Sequence, residues 1–568
     1  MLTLASTAAF ADEPFAPAPY PTVDESSIPT ANELVLDLRD DLSDAEVAAV
    51  GRDYGLAIHD NSVFSRELDK IELASIDGID GLDVAALLER MRGDVRIEHA
   101  ELQSYAFASF VPNDPLYAEK QWHMKRVGAE DAWNMGCGRG VTVAVIDTGV
   151  ACFDKGPFSR GTDLSGTRCT GGYNFVNDTP EAADDHGHGT HVAGTIAQTT
   201  NNGKGAAGLA YCATLMPIKV LSGRGFGSLS DVAEGIRFAA KNGAQVINMS
   251  LGGRGSSPVL ASAVKYAIDR GVIVVAAAGN NGKTVEYPGA YPGVIAVSAT
   301  DSNDRIAWFS SRGKQVFIAA PGVAVTQQTV CNGGRDHCEI FGTFNGTSMA
   351  APHVAGAAAL LVGAGVTNPS SVASALASGA RTQSNPEHFG AGILNVASSL
   401  KSVFWQHFGL RLAALAFLAI WVRNRVRKQG GKGVFGVASL VAAFASGVGL
   451  LFAVPLLGIL PKAGVAAPVL EVLSRPVGEW SFFLSPSLHQ FLPLASLIPT
   501  FALAAIGFGT RARPLIGGYA LGSAALLVQL AISADVATVY GSVGLRLFAI
   551  VNALACLWVA RHGLDTKA

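Results

Sequence analysis

Four polar residues stand where apolar runs give way to glycine or small residues: Asp147 after VTVAVI, His188 in DDHGHGTHVAG, Asn280 after VIVVAAAG, and Ser348 in FNGTSMAAPHVAG. A carboxylate, an imidazole, an amide and a hydroxyl are the parts of a nucleophilic acyl-transfer site. The hydroxyl attacks a carbonyl, the imidazole takes its proton, the carboxylate orients the imidazole, and the amide donates to the oxyanion. Taken alone, Asp147 reads as a strand-end cap, Asn280 as a turn asparagine and Ser348 as a helix N-cap, and His188 has a rival reading as a metal ligand. Their joint occurrence in the order Asp…His…Asn…Ser, each at a strand end or helix start, points to one site. Ser348 is expected at the positive end of a helix dipole, with Pro352 in the first turns, where a missing N–H costs least.

Two other classes compete. His186, His188 and His191 beside Asp184 and Asp185 permit a metallohydrolase reading. That reading leaves Asp147, Asn280 and GTSMAAP without a role, and His191, one turn on, reads as a core histidine. A receptor built on a dead protease is disfavoured because no member of the triad is missing.

The elements that must hold these residues begin at Val141. VTVAVIDTG, TLMPIKVL, AQVINMSLGG and VIVVAAAGN are buried strands, separated by helical stretches such as SDVAEGIRFAAKNG and PVLASAVKYAIDRG. The alternation predicts an α/β domain, a parallel sheet with helices on both faces and its ligands at the carboxyl edge.

With these segments in place, VAVIDTGV, HGTHVAG and GTSMAAPHVAG resemble the three signature motifs of the subtilisin family, the subtilases, over residues 112–400. The resemblance implies a serine endopeptidase with Asp147, His188 and Ser348 as triad, acting through an acyl-enzyme on Ser348. Asn280 and the Ser348 N–H would form the oxyanion hole. Ser250, Leu251 and Gly252 would pair with the substrate backbone, and Glu286 would floor an S1 pocket suited to Lys or Arg. No cofactor is implied for the chemistry. A structural calcium is implied at Asp114, Asp163 and Asn202, whose side-chain oxygens suit a hard cation.

Residues 33–107 read as β-α-β-β-α-β, a ferredoxin-like order, and by the same resemblance residues 12–111 are an inhibitory prosegment, an intramolecular partner cut within 105–112. Residues 1–11 look like the end of a secretory signal peptide, with Ala9-Phe10-Ala11 as cleavage site and a true start expected upstream. Six of the seven cysteines fall in the globular part, and their pairing does not follow from sequence. Cys331 and Cys338 flank a short loop and are the best guess, followed by Cys152–Cys169, which leaves Cys137–Cys212. With no C-x-x-C, a structural zinc is not expected.

The chain has 568 residues, too many for one core, with 15% charged and a mean hydropathy of +0.31. A net charge of −4 gives no basic surface for nucleic acid. The apolar excess lies in residues 401–568, where about five transmembrane helices are expected, near 403–422, 436–459, 489–509, 514–533 and 543–560. The basic clusters 423–428, 511–513 and 561–562 then all face the cytoplasm if the catalytic domain is periplasmic or extracellular. The expectation is a multi-pass protein of the inner or plasma membrane with a cytoplasmic C-terminus and the bilayer as partner. Arg411 and Arg546 are expected to snorkel toward the outer interface.

Overall fold

In ELVLDL every second residue is a fully buried leucine, and the segment forms β1 (Glu33–Leu38), as period-two alternation over a half-buried sheet requires. It opens the smaller of two compact units, Tyr20–Ser109, the larger running on from Phe110. The computed structural model describes residues 33–62, 65, 70–76, 83–102, 111–337, 339–431, 435–452, 470, 472–480, 500–501, 503–504, 512–537 and 541–565. After β1 come α1 (Asp44–Tyr54), β2 (Ala57–Asp60), β3 (Ile71–Ser75), α2 (Val84–Met91) and β4 (Ile97–Leu102). Ser43 and Glu46 form a capping box at the start of α1, and Gly55 ends it with φ 71°. The strands pair antiparallel in the order β2-β3-β1-β4. The β-α-β-β-α-β reading therefore matches this unit.

The larger unit starts with three short helices, α3 (Pro115–Lys120), α4 (Trp122–Arg126) and α5 (Ala129–Trp133). There follow β5 (Thr142–Asp147), β6 (Arg168–Cys169), β7 (Tyr173–Asn174), α6 (His188–Ala197), β8 (Thr214–Lys219), α7 (Leu229–Lys241), β9 (Val246–Met249), α8 (Pro258–Asp269), β10 (Ile273–Ala277), β11 (Ile295–Thr300) and β12 (Val316–Pro321). The parallel sheet runs β12-β11-β10-β9-β5-β8-β6, with β7 also on β8. Along β5, Val143 and Val145 join the core under α6 and α9 (Thr347–Gly363), while Ala144 and Ile146 join the core under α7 and α8. A strand buried on both faces explains the unbroken apolar run. Since β8 lies on one side of β5 and β9 on the other, the chain order diverges at β5. A crevice opens at the carboxyl end of such a strand.

Two disulfides close loops, Cys137–Cys212 just ahead of the amino ends of β5 and β8 and Cys152–Cys169 between the segment after β5 and β6, and Cys331 is disulfide-bonded as well; Cys338 lies outside the described residues. A β-hairpin, β13 (Val325–Gln328) with β14 (Phe341–Phe344), precedes α9, and α10 (Pro369–Gly379) and α11 (Pro386–Phe389) follow it.

The expected boundary at residue 401 falls inside a helix. The 33-residue α12 (Val396–Lys428) begins in the core under α6 and α9 with Val396, Leu400 and Val403 and continues into a second core with Leu415, Leu418 and Val422. Next come α13 (Val437–Gly447), α14 (Arg513–Ser533) and α15 (Gly541–Gly563). Among the described residues α12, α14 and α15 are long and apolar enough to cross a bilayer. The span expected over 436–459 is not one helix, because α13 stops at Gly447 and Gly449 turns the chain with φ 111°. A Cβ on Gly449 would stand 2.3 Å from Ser474 O, so only glycine fits. The span expected at 489–509 lies almost wholly outside the described residues. Arg411 does not snorkel: it is 6% exposed, bonded to Glu479 and to Gln529. Arg546 is exposed.

Candidate active site

Asp147 is the last residue of β5 and is fully buried. Its Oδ1 accepts from His188 Nδ1 at 2.7 Å and from the Thr148 N–H at 2.7 Å. An ionised carboxylate only accepts, so the proton sits on Nδ1 and the neutral ring keeps its lone pair on Nε2. Burial pushes the imidazolium down, but the charge of Asp147, its hydrogen bond and the charge of Asp184 outweigh it and hold His188 above its ordinary 6.5.

The histidine is fixed by the first turn of α6. A Cβ on Gly189 would stand 2.1 Å from Gly149 O and 3.1 Å from Asp147 Cβ, so the two motifs meet only because glycine occupies that position. Asp184, 1% exposed, ties the same turn down. Its Oδ1 accepts from His186 N–H, Gly187 N–H and Thr148 Oγ1, and its Oδ2 from Thr190 N–H and Thr190 Oγ1. Lys219, 2% exposed, donates from β8 to Thr148 O, Asp185 Oδ1 and Leu221 O, each at 2.7 Å. Neither carboxylate is therefore poised to hold a metal. His186 is exposed while His191 is buried, donating from Nε2 toward Val325 O and Gly342 O and stacked on Phe344 at 4.3 Å. Burial takes its pKa down to about 3. The described residues hold no group of three His, Cys, Asp or Glu side chains that could share a metal ion.

Ser348 is the second residue of α9. Its Oγ donates to Ser250 O at 3.0 Å, and Ser250 Oγ donates back to Ser348 O at 2.7 Å. The reason lies four residues on. Pro352 is inside the helix, not in its unpaired first turn, and lacks the N–H that would reach Ser348 O. The Ser250 hydroxyl fills that place and is itself held by Asn248 Nδ2 at 3.0 Å. Among the described residues Ser348 makes no hydrogen bond to His188.

Asn280 follows β10, and its Oδ1 accepts from Thr347 N–H at 2.9 Å and Thr347 Oγ1 at 3.0 Å. With the oxygen held, Nδ2 is left to donate on the exposed side. A Cβ on Gly346 would stand 3.6 Å from both Asn280 Nδ2 and Ser348 N, so two N–H donors flank one small space. Ser250, Leu251 and Gly252 continue from β9, and among the described residues Leu251 and Gly252 make no backbone hydrogen bond. Their edge is open to a pairing strand. The Glu286 carboxylate accepts from Asn281 Nδ2 at 2.8 Å, and a Cβ on either Gly252 or Gly279 would come within 2.7 Å of its Oε2. It lies between the open edge and the segment carrying Asn280.

The three residues assigned to calcium also come together. Asp114 Oδ2 accepts from Asn201 N–H at 2.7 Å, and Asp163 Oδ2 from Gln198 Nε2 at 2.6 Å and Ala206 N–H at 2.9 Å. Burial pushes Asp114 up to about 6 and Asp163 up to about 7, the latter helped by repulsion from Asp114. Asn202 differs from expectation. Its Nδ2, not its oxygen, faces Asp163 Oδ1 at 2.7 Å, because an amide beside a carboxylate turns its donor toward it.

A hydrogen-bonded Asp–His pair, a helix-start serine and paired amide donors at the carboxyl edge of a parallel sheet define a hydrolase of the serine type. Residues 138–392 match the family model described as the subtilase family. The chain is 41% identical over 259 residues to thermitase of Thermoactinomyces vulgaris, covering 45% of this chain and 87% of that one. It is 42% identical over 286 residues to subtilisin Savinase of Lederbergia lenta, covering 49% and 98%. A solved protease structure from Pseudoalteromonas arctica is similar at 34% identity, covering 52% of this chain and 99% of that one, with a TM-score of 0.47. The chain belongs to the subtilase family, and it is a serine endopeptidase acting on proteins or peptides.

Sequence reasoning missed Asp184 and Lys219 as supports, and gave Ser250 a backbone role without its hydroxyl. The pairs Thr148-Gly149 and Asp184-Asp185 were the available signal for Asp184. Nothing local marked Lys219.

Proposed function

We propose that the protein is a membrane-anchored endopeptidase in which Ser348 is the nucleophile, with the catalytic domain outside the cytoplasm. The observation that carries the reading is the 2.7 Å bond from His188 Nδ1 to Asp147, which leaves Nε2 as the base. When a substrate strand pairs along Ser250–Gly252, the Ser348 hydroxyl turns from Ser250 O to His188 Nε2 and gives up its proton as Oγ bonds to the carbonyl carbon. The oxyanion takes N–H donors from Asn280 and Ser348. The imidazolium returns the proton to the departing amine as the C–N bond breaks, and water repeats the sequence on the acyl-enzyme. Glu286 favours Lys or Arg at P1. Comparing peptides with Arg and Phe at that position tests it, and equal rates or a Phe preference would discard it. Hydrolysis of casein by wild type and not by Ser348→Ala is the expected result; equal activity in both would remove the assignment.

Two buried carboxylates raised by desolvation support a structural calcium held by Asp114, Asp163 and the oxygen of Asn202, once that amide turns over. At a hundred times its Kd such an ion adds about 2.7 kcal/mol of stability. Calcium should raise Tm in wild type and not in Asp163→Asn; an equal rise in both rejects the site. For residues 12–111 as prosegment, the support is the ferredoxin-like order of β1–β4 and α1–α2. The Ser348→Ala chain should stay full length, and cleavage of that variant in 105–112 would make another protease responsible. The basic run at the end of α12 supports the C-terminal side facing the cytoplasm. A thiol probe confined to the outside should miss a cysteine placed at Gln429 and reach one placed at Ser257; the reverse pattern overturns the orientation.

A further inference from the structure

The peptidase core and the apolar helices are joined at two places besides the chain itself. The loop after α14 reaches the α9–α10 turn: Asp535 O accepts from Thr367 N–H and Asn368 N–H at 2.8 Å each, and Ala537 N–H donates to Thr367 Oγ1 at 2.8 Å. The Asp535 carboxylate accepts from His407 Nε2 on α12 at 2.7 Å. Arg475 Nη2 donates to Gly363 O, the last residue of α9, at 2.5 Å, and Glu479, four residues on, pairs with Arg411. The helix α12 passes from one core to the other without a break, and Ser399 N lies so near Gly379 that a Cβ there would stand 2.3 Å away. Three attachments, through the 535–537 loop, Arg475 and the unbroken α12, tie the two parts together among the described residues.

The helix gripped at Gly363 is the one that carries Ser348 at its other end. Fifteen residues of α-helix rise about 22 Å, so the nucleophile stands roughly that far along the helix axis from the gripped carbonyl. His407 and Arg411 place the junction at the outer end of the first membrane helix. We infer that this junction fixes the cleft at one height over the bilayer, so that distance from the membrane selects which bonds are cut in polypeptides tethered by their own transmembrane segment. An extended strand covers about 22 Å in about seven residues, which sets the scale of the stalk. The inference rests on the proposed membrane anchoring with an outward catalytic domain.

The test uses the full chain in liposomes with a tethered substrate. Its single transmembrane segment is followed by a stalk of identical repeats of a peptide that the enzyme cuts when free. Cuts should cluster at one distance from the bilayer, and five Gly/Ser residues added next to the membrane should move them toward repeats nearer the membrane. Arg475→Ala, which removes the side-chain donor to Gly363 O, or the milder Thr367→Val where the first does not fold, should spread the cuts over neighbouring repeats with free-peptide hydrolysis within about twofold of wild type. Even cutting of all repeats by wild type, or cuts that keep to the same repeat after the insertion, overturns the inference while co-flotation with the liposomes stands. Free-peptide activity without co-flotation overturns the membrane reading and this inference with it.

Discussion

Two groups of buried charge, one beside the active site and one at the membrane junction, are partnered in different ways. Asp184 is satisfied mostly from nearby in the chain, by N–H groups of residues 186, 187 and 190 and the Thr190 hydroxyl. Arg411 and Glu479 are satisfied by each other and by Gln529, residues 68 and 118 positions apart. Backbone amides at a helix start cannot be removed by mutation, so a carboxylate held by them is built into the local motif. A pair of side chains is held only by its partner, and apolar residues of similar size can replace both. The comparison predicts rigid chemistry at one end and replaceable anchoring at the other.

The largest expected effect is at the oxyanion space. Asn280→Ala should lower kcat by about 10²–10³, the size of loss expected on removing one oxyanion donor (a figure that comes from subtilisin), with KM little changed. A KM effect alone would make Asn280 a binding residue.

Next come the paired charges. Arg411→Ala should destabilise by about 3–5 kcal/mol because it strands Glu479, whereas Arg411→Met with Glu479→Leu should be neutral or stabilising. Denaturation of the detergent-solubilised protein checks both. A double variant as unstable as the single one would mean that the junction needs its charges as the active edge does.

Ser250→Ala leaves Ser348 O without the donor that replaces the Pro352 N–H. A loss of about 1–3 kcal/mol in stability follows, and kcat should fall about tenfold, equivalent to about 1.4 kcal/mol at the barrier. Full activity in this variant would show that the helix start holds Ser348 unaided.

The smallest effect is on pH dependence. As the proposed base, His188 would act only when neutral, and its pKa is held above 6.5. The acid limb of kcat/KM should therefore fall above pH 6.5, and Asp184→Asn should move it downward by removing one favourable charge. An unmoved limb would leave Asp184 a purely structural role.

The same contrast explains what the sequence made legible. Asp147, His188, Asn280 and Ser348 are marked by motifs in which glycine permits a close approach, and the structure gathers them at one sheet edge. Strand and helix alternation from Val141 gave the parallel sheet, and a period of two gave the smaller unit. The misjudged residues depend on distant partners. Arg411 looked like a helix-end cation because Glu479 and Gln529 cannot be seen from its neighbourhood. Pro352 looked harmless in a first turn until Ser250, about a hundred positions earlier, was seen to replace its N–H. The break after Gly447 depends on the approach of Ser474, which hydropathy does not record.

The central claim is that His188, oriented by Asp147, activates Ser348. A fluorophosphonate that phosphonylates activated serines tests it most directly. Mass spectrometry of the labelled wild type should place the adduct on Ser348, and His188→Ala should lose labelling along with hydrolysis. An adduct on another serine, or labelling of Ser348 undiminished in His188→Ala, would contradict the account.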